Sequence, residues 1–306
     1  MWEVWEEIFL PSLPTLPTLP HLPSPQSPIP SPQSPVPSPQ SPIPNPQFPM
    51  IKTLVIAKNV FQEVVRDRIL YIIGFYTLAL AVASRALPEY AANTEDKMFL
   101  DFGIAAMNVI CLIVAIFIGT GLVNKEIEKR TILLLISKPV SRAEFIAGKF
   151  FGLSAVLAVL IASMTVIYLL FLQFGNVKYA VGSMLMAAIF LLLQIAVITA
   201  VSITFGVFTS SLLAVALTFA VYLMGNITQN LVQLSRMSRN IFMEGITQGL
   251  YLVLPDLSRL DLKNEAVYGL QAIPNASTLM GNAVYGVIYI TMLLAIAIFL
   301  FSRREF

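Results

Sequence analysis

The chain has 306 residues, 57% of them hydrophobic and only 12% charged, with a formal net charge of +2. A soluble domain carries about 25% charged residues, so this composition belongs to a membrane protein, and the small net charge excludes a nucleic-acid partner. The single histidine, His21, and the single cysteine, Cys111, exclude a histidine-pair site and an intramolecular disulfide within one chain.

Residues 1–49 form a proline-rich, low-complexity tail that holds most of the chain's 20 prolines. From Ser24 it repeats SPQSPIP, SPQSPVP, SPQSPIP and NPQFP. Such a segment has too few amide hydrogens for helix or sheet and is expected to be extended or disordered. It lacks the basic start and apolar core of a signal peptide. It reads either as a cytosolic arm, including a ligand for a proline-binding domain, or as a translated tandem DNA repeat. The nucleotide unit CCCCAGT, repeated and read in triplets, gives Pro-Gln-Ser-Pro-Val-Pro-Ser, which is Pro32 to Ser38. On that second reading the true start is Met50.

Residues 51–68 come next. Leu54, Ile56, Val60, Phe61, Val64 and Val65 make an apolar stripe at helical spacing, and Lys52, Lys58, Glu63, Arg66 and Asp67 supply the polar positions. This predicts an amphipathic helix on the inner membrane face, drawn to anionic lipid; the alternative is a plain extension of the first span. Six apolar stretches follow, at 69–87, 102–123, 151–172, 183–207, 212–232 and 283–301, each near the ~20 residues a spanning helix needs. None alternates as a membrane strand does. The uncharged turn FTSS, Phe208 to Ser211, separates the fourth and fifth, because a merged span would be too long for a bilayer. The fold class is therefore an all-α polytopic membrane protein over residues 50–306. It has six transmembrane helices, an N-terminal interfacial helix and a helical outer loop between the fifth and sixth spans.

Lysine and arginine set the expected orientation. With the segment before the first span inside, Lys125, Lys129, Arg130, Lys138, Arg142, Lys149, Arg303 and Arg304 also fall inside. The first outer loop, PEYAANTEDKMFLD, is net acidic. Both termini are expected in the cytoplasm and the spans in the plasma (inner) membrane.

The long outer connection covers 235–282. Within it, Ile241 to Leu254 is short for a span and carries Glu244, so it reads as a re-entrant or interfacial helix that ends at Pro255. Gly245 and Gly249 have the spacing of a close-packing pair. PDLSRLDLKN follows.

No Asp, Glu, Lys or His lies in the middle of a span, which argues against a proton relay or a proton-coupled transporter. The neutral polar residues within the spans are Asn108, Thr165, Gln194, Thr199, Ser202, Thr204 and Thr218. They suit hydrogen bonds between helices; Asn108, Thr165, Gln194, Thr199 and Ser202 are also the candidates for a substrate path. H-E-x-x-H and G-x-S-x-G are absent. Gly148-Lys149 lacks the rest of a phosphate loop, since Ala143 and Phe150 occupy its required positions. No catalytic residue, metal site or bound cofactor is expected on this chain.

The most charged segment is Asn124 to Phe150, between the second and third spans. Glu126, Glu128, Lys129 and Arg130 come first, then the apolar block Ile132 to Ile136. Pro139 breaks the helix, and Ser141 can cap a new one with Glu144 as its capping-box partner. The segment reads as helix, break, helix.

With its acidic pair Glu126 and Glu128, Thr131, Leu134-Leu135, Pro139-Val140-Ser141-Arg142 and Gly148-Lys149, this loop resembles that of the ATP-binding-cassette permeases of the type-2 exporter group. The resemblance covers about 51–306 and includes LPDLSRLDLKN in the outer loop. Arg130 stands where the family often has glycine. The chain looks closest to the branch associated with maturation of multicopper enzymes. The resemblance implies that the loop is a coupling helix seated on a separate ATPase subunit, with Glu126, Glu128, Arg130, Thr131, Leu134, Leu135, Pro139, Ser141 and Arg142 as the coupling residues. It further implies ATP bound on that partner and a second permease copy, in a homodimer or with a related chain. An ordinary topological loop is the plainer alternative. Two other functions remain beside an exporter permease: a non-transporting membrane scaffold or assembly factor, and a secondary transporter.

A reporter fused after Phe306 is expected to read cytoplasm, and one inserted near Asn264 to read the outside; two external termini would break the assignment of the charged loop. N-terminal sequencing of the natively expressed protein is expected to begin at or near Met50, and abundant intact Met1 peptides would refute that start.

Overall fold

The computed structural model describes residues 49–67, 69–90, 95–128, 141–238, 245, 249 and 254–303. The proline-rich tail before them, loop 129–140 and most of the expected re-entrant helix 241–254 lie outside the described residues. The regular elements among those residues are all helical. They are α1 (Pro49–Asp67), α2 (Ile69–Tyr90), α3 (Glu95–Glu128), α4 (Arg142–Phe174), α5 (Val181–Phe208), α6 (Ser211–Ser238), a 3-10 turn (Leu257–Leu260), α7 (Lys263–Tyr268) and α8 (Ala276–Arg303).

Among the described residues, five helices contain stretches long and apolar enough to cross a membrane: Ile69–Leu87, Asp96–Leu122, Arg142–Phe174, Val181–Phe208 and Ala276–Arg303. The expected span 212–232 falls on α6, within which Ser211–Ile227 is apolar. The helix runs on to Ser238. Helices α3 and α4 likewise exceed their expected spans. At about 1.5 Å per residue each is roughly 50 Å long, against an apolar bilayer core of about 30 Å. Residues 124–128 of α3 and 142–150 of α4 are the parts of that surplus that flank loop 129–140.

Local chemistry sets several helix ends. Ser141 Oγ accepts the Glu144 amide at 3.1 Å, and Glu144 Oε2 accepts the Ser141 amide at 2.7 Å. This closes the capping box and starts α4 immediately after the loop. At the other end Asn176 turns left-handed, with φ 53°. The amides of Asn176 and Val177 then return to the carbonyls of Gln173 and Leu172 at 3.3 and 3.1 Å, a Schellman closure with asparagine in place of glycine. Between α5 and α6 the chain breaks at Thr209 and Ser210, inside the FTSS turn.

The bundle centres on α5. From Gln194 to Thr204 every side chain is buried, as expected for a helix that is apolar on all sides. The helices α3 and α4 flank it. Tyr76 and Tyr168, both fully buried, donate from α2 and α4 to carbonyls on α3, Gly103 at 3.1 Å and Leu100 at 2.8 Å. On the periphery, α2 exposes Leu70, Tyr71, Phe75, Leu78 and Val82, and α8 exposes Val284, Val287, Ile288 and Ile296. Lipid tails are as apolar as these side chains, so such outward faces cost nothing in a bilayer.

The amphipathic helix α1 is docked on protein. Val60 and Val64 are buried, Phe61 and Val65 pack against the core, and Leu54 remains exposed. The seat is the glycine pair Gly148 and Gly152 of α4. A Cβ at Gly152 would sit 2.7 Å from the Ala57 carbonyl oxygen, and one at Gly148 would sit 2.8 Å from Ile56. Most of the stripe that the sequence assigns to the membrane surface is therefore used on α4, because two missing side chains allow the helices to touch.

Gly152→Val is expected to destabilise the protein by about 1–3 kcal/mol through overpacking. A fall in detergent melting temperature would show it. Gly74→Ala, whose Cβ would meet nothing within 4 Å, serves as the control and should not lower that temperature; equal behaviour of the two variants would refute the seat.

Candidate functional site

Polar side chains gather in two places. The first is the end of the bundle that carries loop 129–140. Lys149 is 4% exposed, and its Nζ donates to the Leu122 carbonyl on α3 at 2.7 Å while lying 5.1 Å from the centre of the Phe145 ring. Arg142 Nη1 donates to the carbonyls of Phe301, at 3.1 Å, and Ser302. Those carbonyls belong to the last turn of α8, where no intrahelical amide is available and a cation is favoured by the helix dipole. Phe145 stacks on Phe301 with ring centroids 5.6 Å apart. The first turns of α4 thus tie together α1, α3 and α8.

The second gathering surrounds the segment after residue 254. Leu257 and Leu260 are fully buried, and Asp256 is 2% exposed. Leu257 packs where Gly225 of α6 leaves room, since a Cβ there would lie 2.6 Å from the Pro255 carbonyl oxygen. Gln194 Nε2 donates to the Leu257 carbonyl at 3.5 Å and to Asn226 Oδ1 at 3.4 Å. Gln194 lies roughly 20 Å along α5 from Val181, at about 1.5 Å per residue. Part of the expected outer loop therefore folds back to mid-length of the bundle.

That segment carries its own ion pair. Asp256 accepts from Arg259 Nε at 2.9 Å and from Ser258 Oγ at 2.6 Å, while its amide donates to Tyr285 Oη at 2.9 Å. Arg259 also lies over the Tyr285 ring. The spans themselves carry no charge at this depth; the re-entrant backbone brings one in with its partner already attached, as a buried charge requires.

Residues 54–306 match the family described as "ABC-2 family transporter protein". The chain belongs to that family. Nearly all of the described helical bundle of this permease, from within α1 to α8, lies inside the match. No curated protein matches the chain.

The residues expected at the permease's sites separate into groups. In the charged loop, Glu126 and Glu128 are the last positions of α3, Arg130, Thr131, Leu134, Leu135 and Pro139 lie outside the described residues, and Ser141 and Arg142 hold the positions given above. Among the candidates for a substrate path, Thr199 donates to Ile195 O and Thr165 to Ile161 O, each within its own helix. Ser202 bridges from α5 to the Ala115 carbonyl of α3 at 3.3 Å. Asn108 Nδ2 donates to Tyr222 Oη at 2.9 Å, and Gln194 meets Asn226 one turn further along α6. Asn108 and Gln194 thus share one stretch of α6. Asn108 Oδ1 and Gln194 Oε1 are buried with no hydrogen-bond partner among the described residues.

Sequence reasoning passes over Tyr222, Asn226, Tyr285 and the Asp256–Arg259 pair. The available signal was the three-residue Asp-to-Arg spacing in PDLSR, the helical neighbour distance, directly after a proline. Among the described residues no three His, Cys, Asp or Glu lie close enough together to hold a metal ion. A Cβ at Gly245 or Gly249 would meet nothing within 4 Å, so this pair makes no close contact among the described residues.

Proposed function

We propose that the chain is the membrane-spanning subunit of an ATP-driven exporter in the plasma membrane, with both termini in the cytoplasm. It works with a separate ATPase subunit and a second permease copy. ATP is bound and hydrolysed on the partner, and this chain does no chemistry. The observation that carries the reading is the pairing of family membership with the construction around loop 129–140. The two longest helices run past bilayer thickness, hold the loop between them, and are joined behind it by Lys149. A loop mounted in this way transmits a push into the bundle.

Glu126, Glu128 and Arg130 are the groups that would meet the ATPase, with Leu134 and Leu135 as the apolar contact and Pro139 separating the loop from α4. Asn108 and Gln194 are the better supported of the substrate-path candidates, because each has a buried acceptor with no partner among the described residues. Thr165, Thr199 and Ser202 use their hydroxyls on backbone carbonyls.

Charge reversal tests the loop. Glu126→Lys or Arg130→Glu is expected to leave expression and membrane insertion unchanged, since an exposed ion pair contributes only about 0–1 kcal/mol. Either should release the ATPase or abolish stimulation of its hydrolysis by the permease. If both variants retain co-purified, fully stimulated ATPase, the loop serves topology alone.

A further inference from the structure

Two apolar clusters hold the bundle. The smaller joins the loop-side halves of α4, α5 and α8, through Phe145, Ile146, Ile203, Val207, Ala297 and Phe301. Along the rest of its length α8 leans on α5, with Thr204 Oγ1 donating to the Leu293 carbonyl at 3.3 Å. Its tie to α4 is concentrated in the Phe145–Phe301 stack and in Arg142, whose single Nη1 serves two carbonyls at the helix end. Arg142 is exposed and is the first residue of α4, one position after the Ser141 cap.

We infer that Arg142 is a positioning residue that makes the end of α8 follow α4, so that displacement of loop 129–140 moves both helices as one body. Its guanidinium is engaged within the chain, which separates its role from those of the loop charges that face the partner. The capping box makes the first turn of α4 rigid, so a push on the loop tilts that turn. One cationic donor group holds both carbonyls, and the dipole at the end of α8 favours it there while the turn tilts. With only the aromatic stack remaining, α8 would slide on α4 and stay with α5. This inference rests on the reading of loop 129–140 as the contact with the ATPase.

The experiment uses the permease purified with its ATPase in lipid nanodiscs, with nitroxide labels at Ser302→Cys on α8 and Leu212→Cys at the exposed start of α6. Pulsed electron resonance gives the label distance without nucleotide and after trapping with ATP and vanadate. The parent protein is expected to show a shift. In complexes that retain the ATPase, Arg142→Gln should lower the shift by more than half and hydrolysis by less; Arg142→Lys should restore most of the shift. A merely structural loss would lower hydrolysis and shift together, and Arg142→Lys would not separate them. An undiminished shift in Arg142→Gln, with a normal parent shift, overturns the positioning role alone. Absence of a co-purified ATPase, or of any shift in the parent, overturns the reading of the loop and this inference with it.

Discussion

The ammonium of Lys149 is removed from water and held by the Leu122 carbonyl at 2.7 Å, and the arrangement of α1, α3 and α4 follows from that removal. A buried charge without a partner is too costly to persist, so α3 must remain where its carbonyl can meet Lys149. On the preceding position, Gly148 gives α1 its seat; four residues earlier, Phe145 offers its ring to the same ammonium and to Phe301. Neighbouring faces of one helical turn thus fix three helices. The pair of letters that superficially suggests a phosphate loop is a joint between helices.

The far half of the bundle follows a different rule. Backbone that leaves helical geometry inside a membrane must find partners within the protein. The segment from Pro255 to Leu262 meets that rule with side chains from two helices: Gln194 of α5 for the Leu257 carbonyl, Tyr285 of α8 for the Asp256 amide, and Asn282 of α8 for the Arg259 carbonyl at 2.9 Å, while Gly225 of α6 gives it space. Leu257, Leu260 and Leu262 of this segment are buried in the main apolar cluster of the bundle.

How much of this the sequence reveals depends on the range of the interaction. Apolar runs mark the helices because a bilayer imposes length and composition residue by residue, and the Ser141–Glu144 cap is visible because its partners are three positions apart. Docking of α1 was not, since an apolar stripe satisfies lipid and protein equally and only the glycines of a helix about 90 residues later choose between them. The re-entrant course of PDLSR was hidden for a related reason: its partners Gln194, Gly225 and Tyr285 are dispersed along the chain. Of the polar residues proposed for a path, the sequence identifies Asn108 and Gln194 but not Tyr222 and Asn226, which bring them to one stretch of α6.

The brevity of the turn between α5 and α6 bears on how the protein is made. Only the uncharged Thr209 and Ser210 separate the two helices. So short a connection leaves neither helix free to depart the translocation channel without the other, and the pair is suited to enter the bilayer as one helical hairpin. Its turn sits at the end of the bundle that carries loop 129–140, where Ile203 and Val207 pack against Phe145 and Phe301, so the tip of the hairpin is also where α5 meets the first turns of α4.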